Sequence, residues 1–142
     1  VTPRVIDSFT GPYRFLSNFY LVEVKYRGLY YPSSEHAFQA SKSLLVSERK
    51  MIRDLLTPGD AKRAGQRIHL RPDWEKIKVL VMEKIVRKKF GREDILLGLL
   101  LTNGALLIEG NNHGDRFWGQ VKGVGENHLG IILMTIRDEK LS

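Results

Sequence analysis

Apolar and polar residues change period several times along the chain, and the changes mark its elements. Val5 to Phe9 reads as a short strand. Leu21 to Tyr26 alternates apolar with charged residues, Arg27-Gly28 punctuates, and Leu29 to Tyr31 resumes, which predicts a β-hairpin. A helix is expected from Ser33-Ser34-Glu35 to about Leu45, and a second from Ser47 to near Leu56. Thr57-Pro58-Gly59-Asp60 carries the marks of a third helix start: Thr57 as N-cap, Pro58 at the first helical position and an acid two residues on. The longest helix follows Arg71-Pro72 and reaches Phe90, with Gly91 placed for a left-handed cap; Trp74, Ile77, Val81 and Ile85 are its core face. Glu93 to Leu101 reads as a helix ending at Asn103-Gly104, and Ala105 to Glu109 as a buried strand. A final helix, capped by Asn127, runs through Ile131, Leu133, Met134 and Ile136. The fold class is therefore α+β: a compact, mostly helical single domain, 1–142 with its core at about 9–137, carrying a small β-sheet.

One element breaks the pattern. In Tyr31-Pro-Ser-Ser-Glu-His-Ala-Phe-Gln-Ala-Ser-Lys42, residues Glu35, Gln39 and Lys42 fall on one helical stripe beside Phe38. A helix face with a carboxylate, an amide and an amine is either a solvated surface with Glu35 in a capping role, or a built site. The stretch Gly110 to Gly125 is the second irregularity, with eight Gly, Asn or Asp residues among sixteen. Long irregular loops in compact domains are usually functional.

Composition bounds the chemistry. The 142 residues make one domain by length, and 42% apolar with 27% charged content is ordinary for a globular protein. The chain has no cysteine, which rules out disulfides and a thiolate nucleophile and suits a reducing, cytoplasmic compartment. No apolar run approaches the ~20 residues of a membrane span, so no membrane partner is expected, and nothing at the start reads as a signal peptide. Four histidines without ligand spacing and no Gly-rich nucleotide motif argue for neither a metal nor a cofactor. Net charge is +7, so an anionic partner is expected. Seven basic residues against three acidic ones lie between Asp73 and Arg92. The Lys76–Arg92 stretch is then either a solvated helix face or a surface for DNA or RNA.

Four segments, in order, carry a resemblance: Arg14-Phe-Leu-Ser-Asn-Phe-Tyr20, the Glu35-His36…Gln39…Lys42 helix, Glu109-Gly-Asn-Asn-His-Gly-Asp-Arg-Phe-Trp-Gly119, and Gly123-Val-Gly-Glu-Asn-His-Leu-Gly130. Together they resemble the NADAR superfamily, also known as the YbiA-like family, from about Phe9 to about Arg137. The resemblance implies an N-glycosidase. Some members cleave phosphorylated ribosylamino-pyrimidine intermediates of riboflavin synthesis; others remove ADP-ribose from the amino group of guanine. For this chain it implies Glu35 as acid/base, Lys42 as nucleophile or charge partner, and Asp115 as an orienter of ribose hydroxyls. Arg14, Ser17, Asn18, His36, Gln39, Trp118, Gly119, Gly125 and Asn127 are the expected substrate contacts, on an anionic nucleotide-type substrate. Removal of ADP-ribose from guanine is the first expectation and the riboflavin-pathway reaction the second; a non-catalytic ADP-ribose or nucleotide-binding module is the rival of another class.

Each contact also has a plainer reading. Trp118 is a core plug or a stacking platform for a base. Arg14 is a surface charge or a phosphate clamp. The turn through Gly123, Gly125, Asn127 and Gly130 is an ordinary cap or a phosphate cradle. Gly65 suits close helix packing. His113 departs from the family pattern, which usually has an aromatic residue there.

Overall fold

The computed structural model describes residues 4–142, and the chain divides into two compact units: 18–89, and 4–17 with 90–142. The elements are β1 (Val5–Ile6), β2 (Val24–Tyr26), β3 (Leu29–Tyr31), α1 (Ser34–Ala40), α2 (Val46–Arg53), α3 (Pro58–Ala64), α4 (Trp74–Lys89), α5 (Glu93–Leu100), β4 (Leu106–Leu107) and α6 (His128–Leu141), with a 3-10 turn at Gly11–Leu16. This is an α+β architecture. The small sheet expected from the sequence is two two-stranded sheets, one in each unit.

The 18–89 unit is built around α1. The β2–β3 hairpin pairs Val24 with Tyr31 and Tyr26 with Leu29 through a two-residue turn. Both turn residues have positive φ, 49° at Arg27 and 84° at Gly28, the mirror-image turn whose twist matches that of the strands. The alternation buries Val24, Tyr26 and Tyr31 and leaves Lys25 and Tyr30 outside. Every residue of α1 is buried, because the hairpin, α2, α3 and α4 all pack on this one helix. The polar stripe therefore lies indoors rather than on a solvated face. Helix α1 stops at Ala40, well short of Leu45; Arg71 then donates its backbone N–H to the Lys42 carbonyl at 2.8 Å. Phe38 meets Trp74 with ring centroids 5.0 Å apart. On α4, Trp74, Val81 and Ile85 are buried as expected and Ile77 only partly so. Gly91 is not among the residues of positive φ, so the expected left-handed cap does not form.

In the other unit β1 and β4 run parallel, with Leu106 donating to the Arg4 carbonyl and Ile108 to that of Ile6. Only two residues of each strand pair, fewer than the Val5–Phe9 and Ala105–Glu109 runs suggest. Leu129, Ile132, Leu133 and Ile136 of α6 pack on β4 and α5. Arg137 is buried too; its Nη1 donates to the carbonyls of Thr102 (3.0 Å) and Ala105 (2.7 Å). These carbonyls lie in the turn between α5 and β4, so the guanidinium ties α6 to that turn. No helix among the described residues is long and apolar enough to cross a membrane.

Candidate active site

The first turn of α1 is fastened from three sides. Ser33 is its N-cap and accepts the His36 N–H at 3.1 Å. Asn18 accepts the Glu35 N–H on its own carbonyl at 3.1 Å, and its Oδ1 accepts the Ser34 hydroxyl at 2.9 Å. Its Nδ2 points to Met82 Sδ at 3.4 Å. Asn18, expected to touch substrate, is thus engaged in holding α1 in place.

His36 is fully buried, and both ring nitrogens have partners: Ser33 Oγ at 2.7 Å from Nδ1 and the Leu55 carbonyl at 3.0 Å from Nε2. A carbonyl only accepts, so Nε2 carries the proton and Nδ1 accepts from Ser33. This corrects the expected role: His36 is a latch between α1 and the end of α2, with no nitrogen left for a ligand. Burial pushes its pKa below the ordinary value of 6.5, against the pull of the Leu55 carbonyl. A histidine kept neutral when folded and charged when unfolded stabilises the fold fully above pH 6.5 and loses that stabilisation as pH falls towards the depressed value. Urea midpoints measured between pH 7.5 and 5 should fall below pH 6.5 for the parent protein, and should fall less for His36→Gln.

On the stripe itself, Gln39 donates from Nε2 to Glu35 Oε2 at 2.7 Å, and both residues are buried. The Gln39 Oε1 has no hydrogen-bond partner among the described residues. It lies against Gly65 at the C-terminal end of α3, where an added Cβ would come within 1.9 Å of it. Gly65 therefore makes room for the amide that positions Glu35. Gly65→Ala should destabilise the protein by roughly 1–3 kcal/mol, the usual cost of overpacking. Adding Gln39→Ala should recover most of the loss, and denaturant unfolding of the two variants and their combination checks this coupling.

Lys42, just beyond α1, is half-buried. Burial lowers its pKa below 10.5; the Glu35 carboxylate opposes that shift, while Lys62 and Lys78 reinforce it. The result is a half-buried lysine of depressed pKa within the electrostatic influence of a buried carboxylate, a recurrent arrangement for proton transfer and amine nucleophiles. Lys62 and Lys78 come from α3 and α4, so no local pattern around Lys42 announces them.

In the second unit the Gly110–Gly125 loop is organised by its own side chains. Asn111 Oδ1 accepts the Asp115 N–H at 3.0 Å, and Asn111 Nδ2 donates to Glu109 Oε2 at 3.0 Å and to the Asp115 carbonyl at 2.8 Å. Asp115 Oδ1 accepts the N–H groups of Phe117 (3.1 Å) and Trp118 (2.9 Å). Asn111 and Glu109 lie in the segment that carries the resemblance but are not among the expected contacts, although an Asn in a Gly-rich loop is itself a turn signal. Trp118 is half-buried, with Phe117 edge-on at 4.8 Å and His128 at 6.2 Å. Arg14 is exposed and Ser17 half-buried in and after the 3-10 turn.

The expected phosphate cradle at the start of α6 requires correction. The backbone N–H groups of Glu126, Asn127, His128 and Leu129 donate to the carbonyls of Arg116, Gly119, Phe117 and Trp118. Those donors bind the loop. Gly119 and Gly125 make this close pairing possible: a Cβ on Gly119 would meet the Glu109 carbonyl at 1.9 Å, and one on Gly125 the Gly119 carbonyl at 2.3 Å. Asn127 sits in the N-cap position, but its side chain does not cap the helix. It accepts the Glu109 N–H and donates to the Leu107 carbonyl, both at 2.9 Å, tying α6 to β4. No group of three or more His, Asp or Glu among the described residues could hold a metal ion.

Comparison with known proteins gives the class of the chain. The NADAR domain model matches residues 7–141, and the chain belongs to that family. The N-glycosidase YbiA of Escherichia coli (strain K12) is 36% identical over 135 residues, covering 93% of this chain and 84% of that protein. A riboflavin biosynthesis protein of Vibrio vulnificus is 37% identical over 131 residues, covering 88% of this chain but 35% of its own length. The NMR structure of the E. coli protein YbiA superposes with a TM-score of 0.84, at 36% identity, over 99% of this chain and 88% of that one. The chain is a hydrolase of the N-glycosyl class.

Proposed function

We propose that this enzyme cleaves the bond between C1′ of a ribose and an exocyclic amine of a base, with ADP-ribose on guanine as its first substrate class. The observation that carries the reading is the buried stripe: Glu35 held by Gln39 at 2.7 Å, electrostatically coupled to a lysine of depressed pKa. The ribose ring opens at C1′–O4′ as the base nitrogen forms an imine with C1′ and O4′ takes a proton. Lys42, as the free amine, adds to C1′, and Glu35 protonates the base amine as the C1′–N bond breaks, leaving an imine on the lysine. Water then hydrolyses that imine, returning the sugar aldehyde and the free lysine. Asp115 orients ribose hydroxyls, and Trp118, half-buried beside Phe117, offers a ring face on which a base stacks. Arg14, exposed in its turn, and Ser17 contact phosphate. The net charge of +7 suits a polyanionic substrate.

A second reading, a phosphorylated ribosylamino-pyrimidine as substrate, is favoured by the relative named a riboflavin biosynthesis protein. Chromatographic assay of the two substrates side by side separates them. Release of guanine-bearing product with a kcat/KM at least about tenfold above that for the pyrimidine supports the first; the reverse order supports the second.

A further inference from the structure

The basic residues near α4 do not form one continuous face. Lys89 is buried, Lys78 pairs with Glu75 at 2.8 Å and Arg87 with Glu83 at 3.0 Å. Lys84 instead lines a cleft of about 160 Å³ in the 18–89 unit, where cations from other segments join it. Arg27 reaches it from the hairpin turn, Arg49 from α2, Arg71 from the segment before α4 and Lys84 from α4 itself, with Ser41 and Asp73 also on its wall. Four cations thus face one carboxylate, and that carboxylate is already engaged. Asp73 takes Arg71 Nε at 2.7 Å and Nη2 at 3.2 Å. Arg49 is steered by its Nε donating to the Ser43 carbonyl at 2.7 Å, which leaves its terminal nitrogens to point elsewhere. Arg27 and Lys84 have no carboxylate in ion-pair range among the described residues.

Like charges gathered in one recess repel one another unless an anion joins them, and guanidinium forks match the oxygen geometry of phosphate. The cleft is smaller than the ~300 Å³ at which pockets begin to hold whole small-molecule ligands, so it suits a single phosphate-sized group. Its lining does not include Glu35, Gln39 or Lys42. We propose that Arg27, Arg49, Arg71 and Lys84 form a second anion site that takes one phosphate group, either from a nucleic-acid backbone or from a free phosphate compound. This goes beyond the reading of the Glu35 site and does not depend on it.

The test measures anisotropy of a fluorescein-labelled twelve-residue oligothymidylate with the full chain at low salt, with pyrophosphate as competitor. The variant is Arg27→Asn with Lys84→Gln; Asn suits the left-handed position at 27, so the fold should hold. The control, Lys76→Gln with Lys88→Gln, removes the same charge from exposed positions outside the cleft. The expected result is a loss of about tenfold or more in affinity for the cleft variant, from losing charged hydrogen bonds. The slope of log K against log salt should shrink by about 0.7 for the one phosphate released. Hydrolysis of a small N-riboside should be unchanged. Competition by pyrophosphate assigns the site to free phosphate compounds; oligonucleotide binding that pyrophosphate does not displace assigns it to the phosphodiester backbone. Absence of binding by both probes, an unaffected cleft variant, or an equal loss in the control overturns the proposal. Wild-type protein that binds but hydrolyses no N-riboside would count against the Glu35 reading alone.

Discussion

Glu35→Gln is expected to lower turnover of an N-riboside by roughly 10²- to 10⁴-fold, the range for a lost general acid or base, while the protein stays folded. The replacement has the same shape, and its amide oxygen can still accept from Gln39 Nε2, so the 2.7 Å contact inside the helix survives. What is lost is the proton and the charge. A second effect goes with the first. The Glu35 carboxylate is the strongest influence holding the Lys42 pKa up against burial, so removing it should lower that pKa further. Unfolding curves, base release and an NMR titration of the lysine measure all three. A folded Glu35→Gln protein with near-parental turnover would remove Glu35 from the mechanism.

Lys42→Arg should remove most activity, on the order of a hundredfold or more by the same scale. Arginine keeps the positive charge but is never the free amine at accessible pH. In the parent protein kcat/KM should rise with pH through the lowered lysine pKa, because the deprotonated fraction is the nucleophile. In the variant that limb should vanish. If Lys42 served only as a charge partner, Lys42→Arg would retain appreciable rate and the same pH profile.

The sequence is legible where the signal is local. The hairpin turn at Arg27-Gly28, the Thr57 cap, whose Oγ1 accepts the Asp60 N–H at 3.0 Å, and the spans of α4 and α5 all follow from residues next to one another. So does the stripe of Glu35, Gln39 and Lys42, which is helical spacing alone. Its burial is not local. It arises because three helices and a hairpin converge on α1, and a polar stripe reads equally well as a wet surface. His36 shows the same limit: its neighbours Ser33 and Leu55 complete the ring's hydrogen bonds, and Leu55 comes from the far end of α2. Around Asn127 the sequence points to a helix cap, a choice overturned by the carbonyls of 116–119, which reach the start of α6 first. Lys89 looks like part of a basic face, yet it is 1% exposed and burial lowers its pKa to about 7. Its amine lies 5.9 Å from the Tyr20 ring centroid, a contact that helical periodicity does not encode.

The most direct test of the account is to trap the sugar on the enzyme. The protein is incubated with an N-ribosylated substrate and borohydride, then analysed by intact mass and peptide mapping. An imine between Lys42 and C1′ is reduced to a stable secondary amine. The predicted result is release of the free base amine together with an adduct of the sugar fragment's mass on Lys42, absent from Lys42→Arg and strongly reduced in Glu35→Gln. Base release with no adduct at Lys42, or an adduct on another lysine, would contradict it.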